Sequence, residues 1–373
     1  MHFRFTQEHV QLRQSVGALL RDRYSFETRQ QASRAFPAWS PAMWQTLANE
    51  LGVLGLPLPE AEGGLSGDPI ATMILMEQFG ESLLLEPFLE TAVLCGALLR
   101  LTGGATADRV LASIAAGSAV LCFAHGEHSA DFNAMPSAVT AMRDGDGWSL
   151  CGRKSVVVAA PVATDLIVSA MTENGPSLFL VDAAAQNLTL AGYPLLDARP
   201  AADLHLDGVR VQGDALLGRE GGAGPVIAEA LDRTIAALAA EALGVMRRLL
   251  SDTIAFTKQR RQFGRPIADN QALQHRMADM FMQLEMATSA VYLATLKLDR
   301  PAKERALAVA CAKVTVGRAG RFIGQNAVQL HGGMGMTDEL AISHYFKRMT
   351  VIEAEFGSAD QHLQRFVELS RAA

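Results

Sequence analysis

Three short segments carry the residue types most able to do chemistry: Arg260-Arg261-Gln262-Phe263-Gly264-Arg265-Pro266-Ile267, then Gln271-Ala272-Leu273-Gln274-His275, then Gln329-Leu330-His331-Gly332-Gly333-Met334-Gly335. They set cations, amide donors and a glycine turn on separate elements, as an anionic nucleotide cofactor requires. An arginine fork grips a pyrophosphate through paired, charge-assisted hydrogen bonds, and glycine lets backbone N–H groups approach an anion without a Cβ in the way. Each segment alone reads as a solvated helix end or a plain turn; the set reads as a cofactor grip.

A second cluster is His125, Glu127 and His128, two imidazoles and a carboxylate within four residues. No further ligand follows at a spacing suited to a metal, so a polar surface loop is the expectation. Cys95, Cys122, Cys151 and Cys311 are scattered without a C-x-x-C pair, which argues against a disulfide framework or a thiolate metal site.

The elements that must position these groups fall into three blocks. From Thr6 to about Ala116 the apolar period is helical, with Thr6 available as a cap before Glu8 and Asp68-Pro69 opening a helix toward Leu85. Between about 119 and 217 the texture changes to short β-rich runs at 139–142, 156–159, 166–170, 178–181 and 204–211. Asp144-Gly145-Asp146-Gly147 and Asn174-Gly175-Pro176 supply the turns, so an antiparallel sheet or small barrel is expected. A linker follows at 218–224. Long apolar helices over 227–256, 272–297 and 302–330 should then pack as a bundle. The resulting α+β organisation divides as 1–117, 118–220 and 221–373.

Bulk properties narrow the partners. A chain of 373 residues with 49% apolar content can bury the cores of two or three domains. A net charge of −6 and a pI near 5.9 leave no basic stripe for a phosphate backbone, so nucleic acid is not an expected partner. No apolar run reaches the roughly 20 helical residues a membrane span needs, and the N-terminus lacks a basic-then-apolar signal pattern. A cytoplasmic location is the expectation.

Taken together, the segments resemble the acyl-CoA dehydrogenase family of flavoproteins, and the resemblance extends over essentially the whole chain. Phe5 to Arg13 resembles the family's opening helix; Leu51-Gly52-Val53-Leu54-Gly55-Leu56 with Pro59-Glu60-Ala61-Glu62-Gly63-Gly64 resembles its first turn; Glu77-Gln78-Phe79-Gly80 resembles the segment after it. The resemblance implies an N-terminal helical domain, a central antiparallel β domain and a C-terminal four-helix bundle. It further implies that Arg260, Gln262, Phe263, Gln271, Gln329, Gly332 and Gly333 reach across a subunit interface to FAD. The implied substrate is an acyl-CoA thioester. In that reaction a carboxylate takes the α-proton while flavin takes hydride from Cβ, and general-base help of this kind is worth roughly 10²–10⁴-fold.

The chain departs from the family where the chemistry sits. The family's T-E-P-x-x-G-S-D loop is replaced by Ala124-His125-Gly126-Glu127-His128-Ser129-Ala130-Asp131, which keeps only Asp131; its W-I-T-like triplet is replaced by Val156-Val157-Val158. The family's usual base precedes a glycine late in the chain, whereas here Phe356 precedes Gly357. Glu353, Glu355 and Asp360 are the remaining candidates, each expected at a solvated helix end. An alternative base position on an earlier helix matches Thr234, followed by Ile235, with Glu241 two turns on.

Groups that would reach a neighbour's FAD are thus kept, and those that would serve the chain's own cleft are degraded. This pattern resembles the small, auxiliary subunit of pimeloyl-CoA dehydrogenase-type two-chain enzymes, and subunits of some steroid side-chain dehydrogenases. The leading expectation is a subunit that completes FAD sites of a paralogous large subunit, in a complex that passes electrons to an electron-transferring flavoprotein. The alternatives are a self-sufficient homo-oligomer with a displaced base among Glu353, Glu355 and Asp360, and a non-redox scaffold on this fold.

Overall fold

The computed structural model describes residues 5–371 apart from 66, 129–134 and 137. Helix α1 (Gln7–Arg23) opens on a reciprocal cap: the Thr6 hydroxyl accepts from the His9 N–H and His9 Nδ1 accepts from the Thr6 N–H, both at 3.2 Å. Then come α2 (Phe26–Ser33), α3 (Pro41–Asn49), α4 (Pro69–Ser82), α5 (Gly96–Thr102) and α6 (Ala105–Ala115). Leu89–Cys95, just before α5, is wound as a π-helix. The strands are β1 (Leu121–Ala124), β2 (Thr140–Asp144), β3 (Gly147–Val158), β4 (Asp165–Thr172), β5 (Gly175–Asp182), β6 (Leu188–Pro194), β7 (Pro200–Val211) and β8 (Leu216–Leu217). After them come α7 (Ala223–Gln259), a small hairpin of β9 (Arg261–Gln262) and β10 (Arg265–Pro266), α8 (Gln271–Leu296), α9 (Ala302–His331), α10 (Ala341–Ala354) and α11 (Ala359–Arg371).

The chain forms two compact units. The first comprises Met1–Arg29, Pro69–Leu84 and Ile235–Ala373 and is helical. Positions 235–246 of α7 are buried without a break, which marks a helix wrapped on every side. Its crossing with α4 is set by glycines: a Cβ on Gly80 would lie 2.0 Å from the Glu241 carbonyl oxygen, and one on Gly244 2.0 Å from that of Glu77. The helices expected over 227–256, 272–297 and 302–330 are α7, α8 and α9. Five helices, α7 to α11, follow residue 222 among the described residues and make up the C-terminal helical domain. Phe356 (φ 54°) and Gly357 (φ 97°) break the C-terminal helical stretch into α10 and α11.

The second unit, Gln30–Asp68 with Leu85–Thr234, carries the sheet. The strand order is β6-β7-β3-β2-β4-β5-β8, with β1 beside β4. The two expected turns are present, Asp144 pairing with Gly147 across the β2–β3 hairpin and Thr172 with Gly175 across the β4–β5 hairpin. The expectation of a purely antiparallel sheet needs correction, because β1 runs parallel to β4 and β2 meets β4 in parallel at Thr140 and Met171. All four β1 residues are buried, as suits a strand with no solvent face. Trp148 and Phe179, edge to face at 5.2 Å, sit in the core of this unit. No helix among the described residues is long and apolar enough to cross a membrane.

Candidate functional site

At the end of α7 the chain turns back at once. Phe263 (φ 53°) and Gly264 (φ 81°) form the two-residue tip between β9 and β10, and positive φ at both is the signature of a type I′ hairpin. Phe263 stands fully exposed at that tip. Arg260 and Arg261 are exposed, and the Gln262 amide donates only to the neighbouring Arg261 carbonyl at 2.8 Å. The Asn270 side chain accepts from Arg265 at 3.0 Å and donates to the Ile267 carbonyl at 2.9 Å, so it does not cap α8. The first turn of α8, beginning at exposed Gln271, therefore presents N–H groups without a side-chain cap.

The C-terminal end of α9 lies beside this hairpin's root. The His331 ring stacks on Phe256 with centroids 4.3 Å apart, and its Nδ1 is 2.8 Å from the Ala327 carbonyl oxygen. Burial lowers the His331 pKa, so the ring serves as a neutral spacer joining the ends of α7 and α9. Gln329 before it and Gly332 and Gly333 after it are exposed. Gly332 needs glycine for its backbone (φ 61°, ψ −146°). Gly333 does not: a Cβ there meets nothing within 4 Å. All seven residues of the expected grip thus face solvent at one end of the helical unit.

The candidate bases are engaged elsewhere. Arg348 forks onto Glu241 at 2.5 and 2.7 Å and reaches Glu355 at 3.2 Å, all three side chains at most 8% exposed. Lys313, 1% exposed, donates to the carbonyl oxygens of Ile352 and Glu355, and burial pushes its pKa down to about 8. Glu353 pairs with Arg321 at 3.3 Å and accepts from the Ala359 N–H at 3.3 Å. Helix-end solvation is therefore wrong for Glu355 and incomplete for Glu353; it holds for Asp360, exposed in the first turn of α11. The Thr234 hydroxyl is buried and donates to the Ala230 carbonyl at 2.8 Å.

The loop after β1 also differs from expectation. Glu127 is buried, not a surface group: it accepts from Lys154 at 2.8 Å and from the N–H groups of Ala138 and Val139 at 2.8 and 3.3 Å. Lys154, 0% exposed, also donates to Ser169 Oγ and the His125 carbonyl, each at 3.1 Å. Burial, then the Lys154 charge, pushes the His125 pKa down to about 4. Among the described residues no group of His, Cys, Asp and Glu is placed to hold a metal. Asp131 lies outside the described residues. The sequence did carry one signal for this network: Lys154 has the inward parity of Trp148 and Leu150, so an acid partner had to be near. Two residues on, Val156 adopts φ 54° at a bulge, with its N–H on Asp203 Oδ1 at 2.9 Å and its side chain 56% exposed. Val156 offers neither an aromatic face nor a hydroxyl.

The comparisons with known proteins agree with one another. The family pattern "Acyl-CoA dehydrogenase, N-terminal domain" matches residues 6–118, and "Acyl-CoA dehydrogenase, C-terminal domain" matches 222–368. The probable acyl-CoA dehydrogenase FadE25 of Mycobacterium tuberculosis is 28% identical over 99% of this chain and 96% of its own length. Short-chain specific acyl-CoA dehydrogenase from Bos taurus mitochondria is 28% identical over 88% of this chain and 81% of its own. A variant of the Tcur3481-Tcur3483 steroid ACAD is 31% identical in sequence, covers 98% of both chains and superposes with a TM-score of 0.89. The ChsE4-ChsE5 complex of Mycobacterium tuberculosis has a chain 25% identical over 100% of both, with a TM-score of 0.91. The chain belongs to the acyl-CoA dehydrogenase family.

Proposed function

We propose that this chain works in the flavin-dependent α,β-dehydrogenation of an acyl-CoA thioester as the subunit that completes FAD sites housed mainly in a partner chain. The observation that carries the reading is an asymmetry. Arg260, Gln262, Phe263, Gln271, Gln329, Gly332 and Gly333 all face outward at one end of the helical unit, while every carboxylate near the expected base position except Asp360 is held in an ion pair. Open space at Gly333 fits the close approach of an anion from outside the chain.

Arg260 would then offer its guanidinium to the pyrophosphate, the uncapped start of α8 its N–H groups, and Gln329 with the glycine turn further donors. FAD, when bound, would supply the hydride acceptor for the acyl Cβ. The chain's own flavin-side positions fit that group poorly, since Ala124 is buried and apolar and Val156 is turned outward on a bulge. Proton abstraction is assigned to the partner. Electrons would leave to an electron-transferring flavoprotein, in keeping with the family. Two of the similar structures bear two-chain names, Tcur3481-Tcur3483 and ChsE4-ChsE5, which supports a two-chain assembly here.

Flavin content of the co-expressed complex tests this. Arg260→Ala should lower retained flavin at least ~10-fold, the effect of losing about 1.4 kcal/mol or more from a charge-assisted contact. Unchanged flavin content would sink the cross-subunit grip.

A further inference from the structure

The flavin grip is split between two helix ends, and one ring contact joins them. On the α7 side Phe256 lies in the last turn. Its carbonyl accepts from the Arg260 N–H at 2.8 Å, and the Arg260 carbonyl accepts from the Ile267 N–H at 2.9 Å, which closes the root of the hairpin. On the α9 side His331 is the last helical residue, with Gln329 two places before it and Gly332 after it donating its N–H to the Gln329 carbonyl. Each half of the grip therefore hangs on one residue. Those two residues stack, centroids 4.3 Å apart and planes 26° from parallel.

Nothing polar duplicates this tie. Among the described residues no hydrogen bond or ion pair joins 253–267 to 327–337. Thr257, next to Phe256, turns its hydroxyl to Met277 of α8 instead, at 3.5 Å from the sulfur. The His331 ring is itself pinned to its own helix: a carbonyl oxygen only accepts, so the contact with Ala327 places the ring proton on Nδ1. At 6% exposure the ring has little room to turn. Phe256 thus meets a ring in one fixed orientation, and the pair holds an offset geometry. A pyrophosphate gripped from two elements needs both sets of donors placed within about 0.5 Å, because charge-assisted bonds are short and directional.

We infer that His331 is a positioning residue for the flavin site: acting through Phe256, it sets the spacing between the Arg260 hairpin and the Gln329–Gly333 turn. This rests on the partner-subunit reading above and adds the side-chain pair that keeps the two halves of the grip in register.

Two readouts separate the tie from the grip. Spin labels at Lys258→Cys and Met336→Cys, with Cys151 and Cys311 replaced by Ser, report the spacing in the chain alone. Titration of the flavin-stripped complex with FAD reports affinity. A single narrow distance should broaden in His331→Leu and return in His331→Phe, which keeps the stack. FAD should bind ~10-fold more weakly in His331→Leu and within ~3-fold of the parent in His331→Phe, the range that one aromatic pair spans. In an Arg260→Ala background His331→Leu should add no more than ~2-fold, since no fork is left to misplace. A residue that only stabilised the fold would give losses that multiply. If His331→Leu does not fold, Phe256→Leu, on a half-buried residue, carries the same predictions. An unchanged distance in His331→Leu, equal losses in the Leu and Phe variants, or losses that multiply in full with Arg260→Ala overturns the inference. Flavin binding indifferent to Arg260→Ala removes the grip itself; binding sensitive to Arg260→Ala but not to His331→Leu removes this inference alone.

Discussion

Arg348 pairs with two carboxylates that have almost no water around them, the buried Lys313 supplying a second positive charge beside Glu355. Replacing it by Met leaves Glu241 buried without its ion-pair partner, a loss of about 3–5 kcal/mol in denaturant unfolding. The same logic gives a pH dependence at His362, 1% exposed, whose Nε2 lies 2.8 Å from the Phe356 carbonyl oxygen. Burial pushes its pKa down to about 4 from an ordinary 6.5, so between those values the unfolded chain binds the extra proton. Stability from this group is complete above the ordinary value and is lost as pH falls through the window, by up to ~3 kcal/mol. Equilibrium unfolding from pH 7 to 4 should show the slope, and His362→Gln should reduce it, the buried His125 supplying a like share of the rest; an identical slope in the variant removes the assignment. Sequence reading found the exposed arginines and glycines because their types stand out. It missed the Lys154–Glu127 and Arg348–Glu241 pairs because their partners are joined only by the fold, 27 and 107 residues apart.

Between α4 and α7 the limit is backbone meeting backbone. Since the Cβ of Gly244→Ala or Gly80→Ala would lie 2.0 Å from a carbonyl oxygen, no rotamer relieves the clash and the helices must separate. Overpacking of this kind costs at least about 1–3 kcal/mol, seen as a lower melting temperature. Gly333→Ala is the control: its Cβ has open space, so the melting temperature should hold while flavin retention by the complex falls. A fall in both would make Gly333 a structural glycine. The long helices were legible because a 3.6-residue apolar period persists over tens of residues in α7, α8 and α9. β1 and β6 escaped notice for opposite reasons. β1 is four residues buried on both faces, with no alternation to see, and β6 is an edge strand whose alternation, Leu188 and Leu190 half-buried between exposed Thr189 and Ala191, gives way at once to Gly192 and Pro194.

For the whole molecule the decisive quantity is flavin per chain. If the outward-facing grip serves a neighbour's site, the chain purified alone has half of a binding surface and should be colourless. The complex with a family partner should carry flavin bands at less than one flavin per chain, because only the partner's clefts are complete. Absorbance against protein concentration measures this directly. About one flavin per chain in the lone protein, bleached by an acyl-CoA, would instead mean that Val156 and Ala124 tolerate flavin and that a carboxylate escapes its partner. The ion pairs then rank the suspects. Glu355 would have to abandon Arg348 in a nearly dry site, Glu353 would give up a more exposed contact to Arg321, and Asp360, on the surface, would give up least. Under that outcome, Asp360→Asn and Glu353→Gln should each be tried before Glu355→Gln. Loss of bleaching without loss of bound flavin would identify the base.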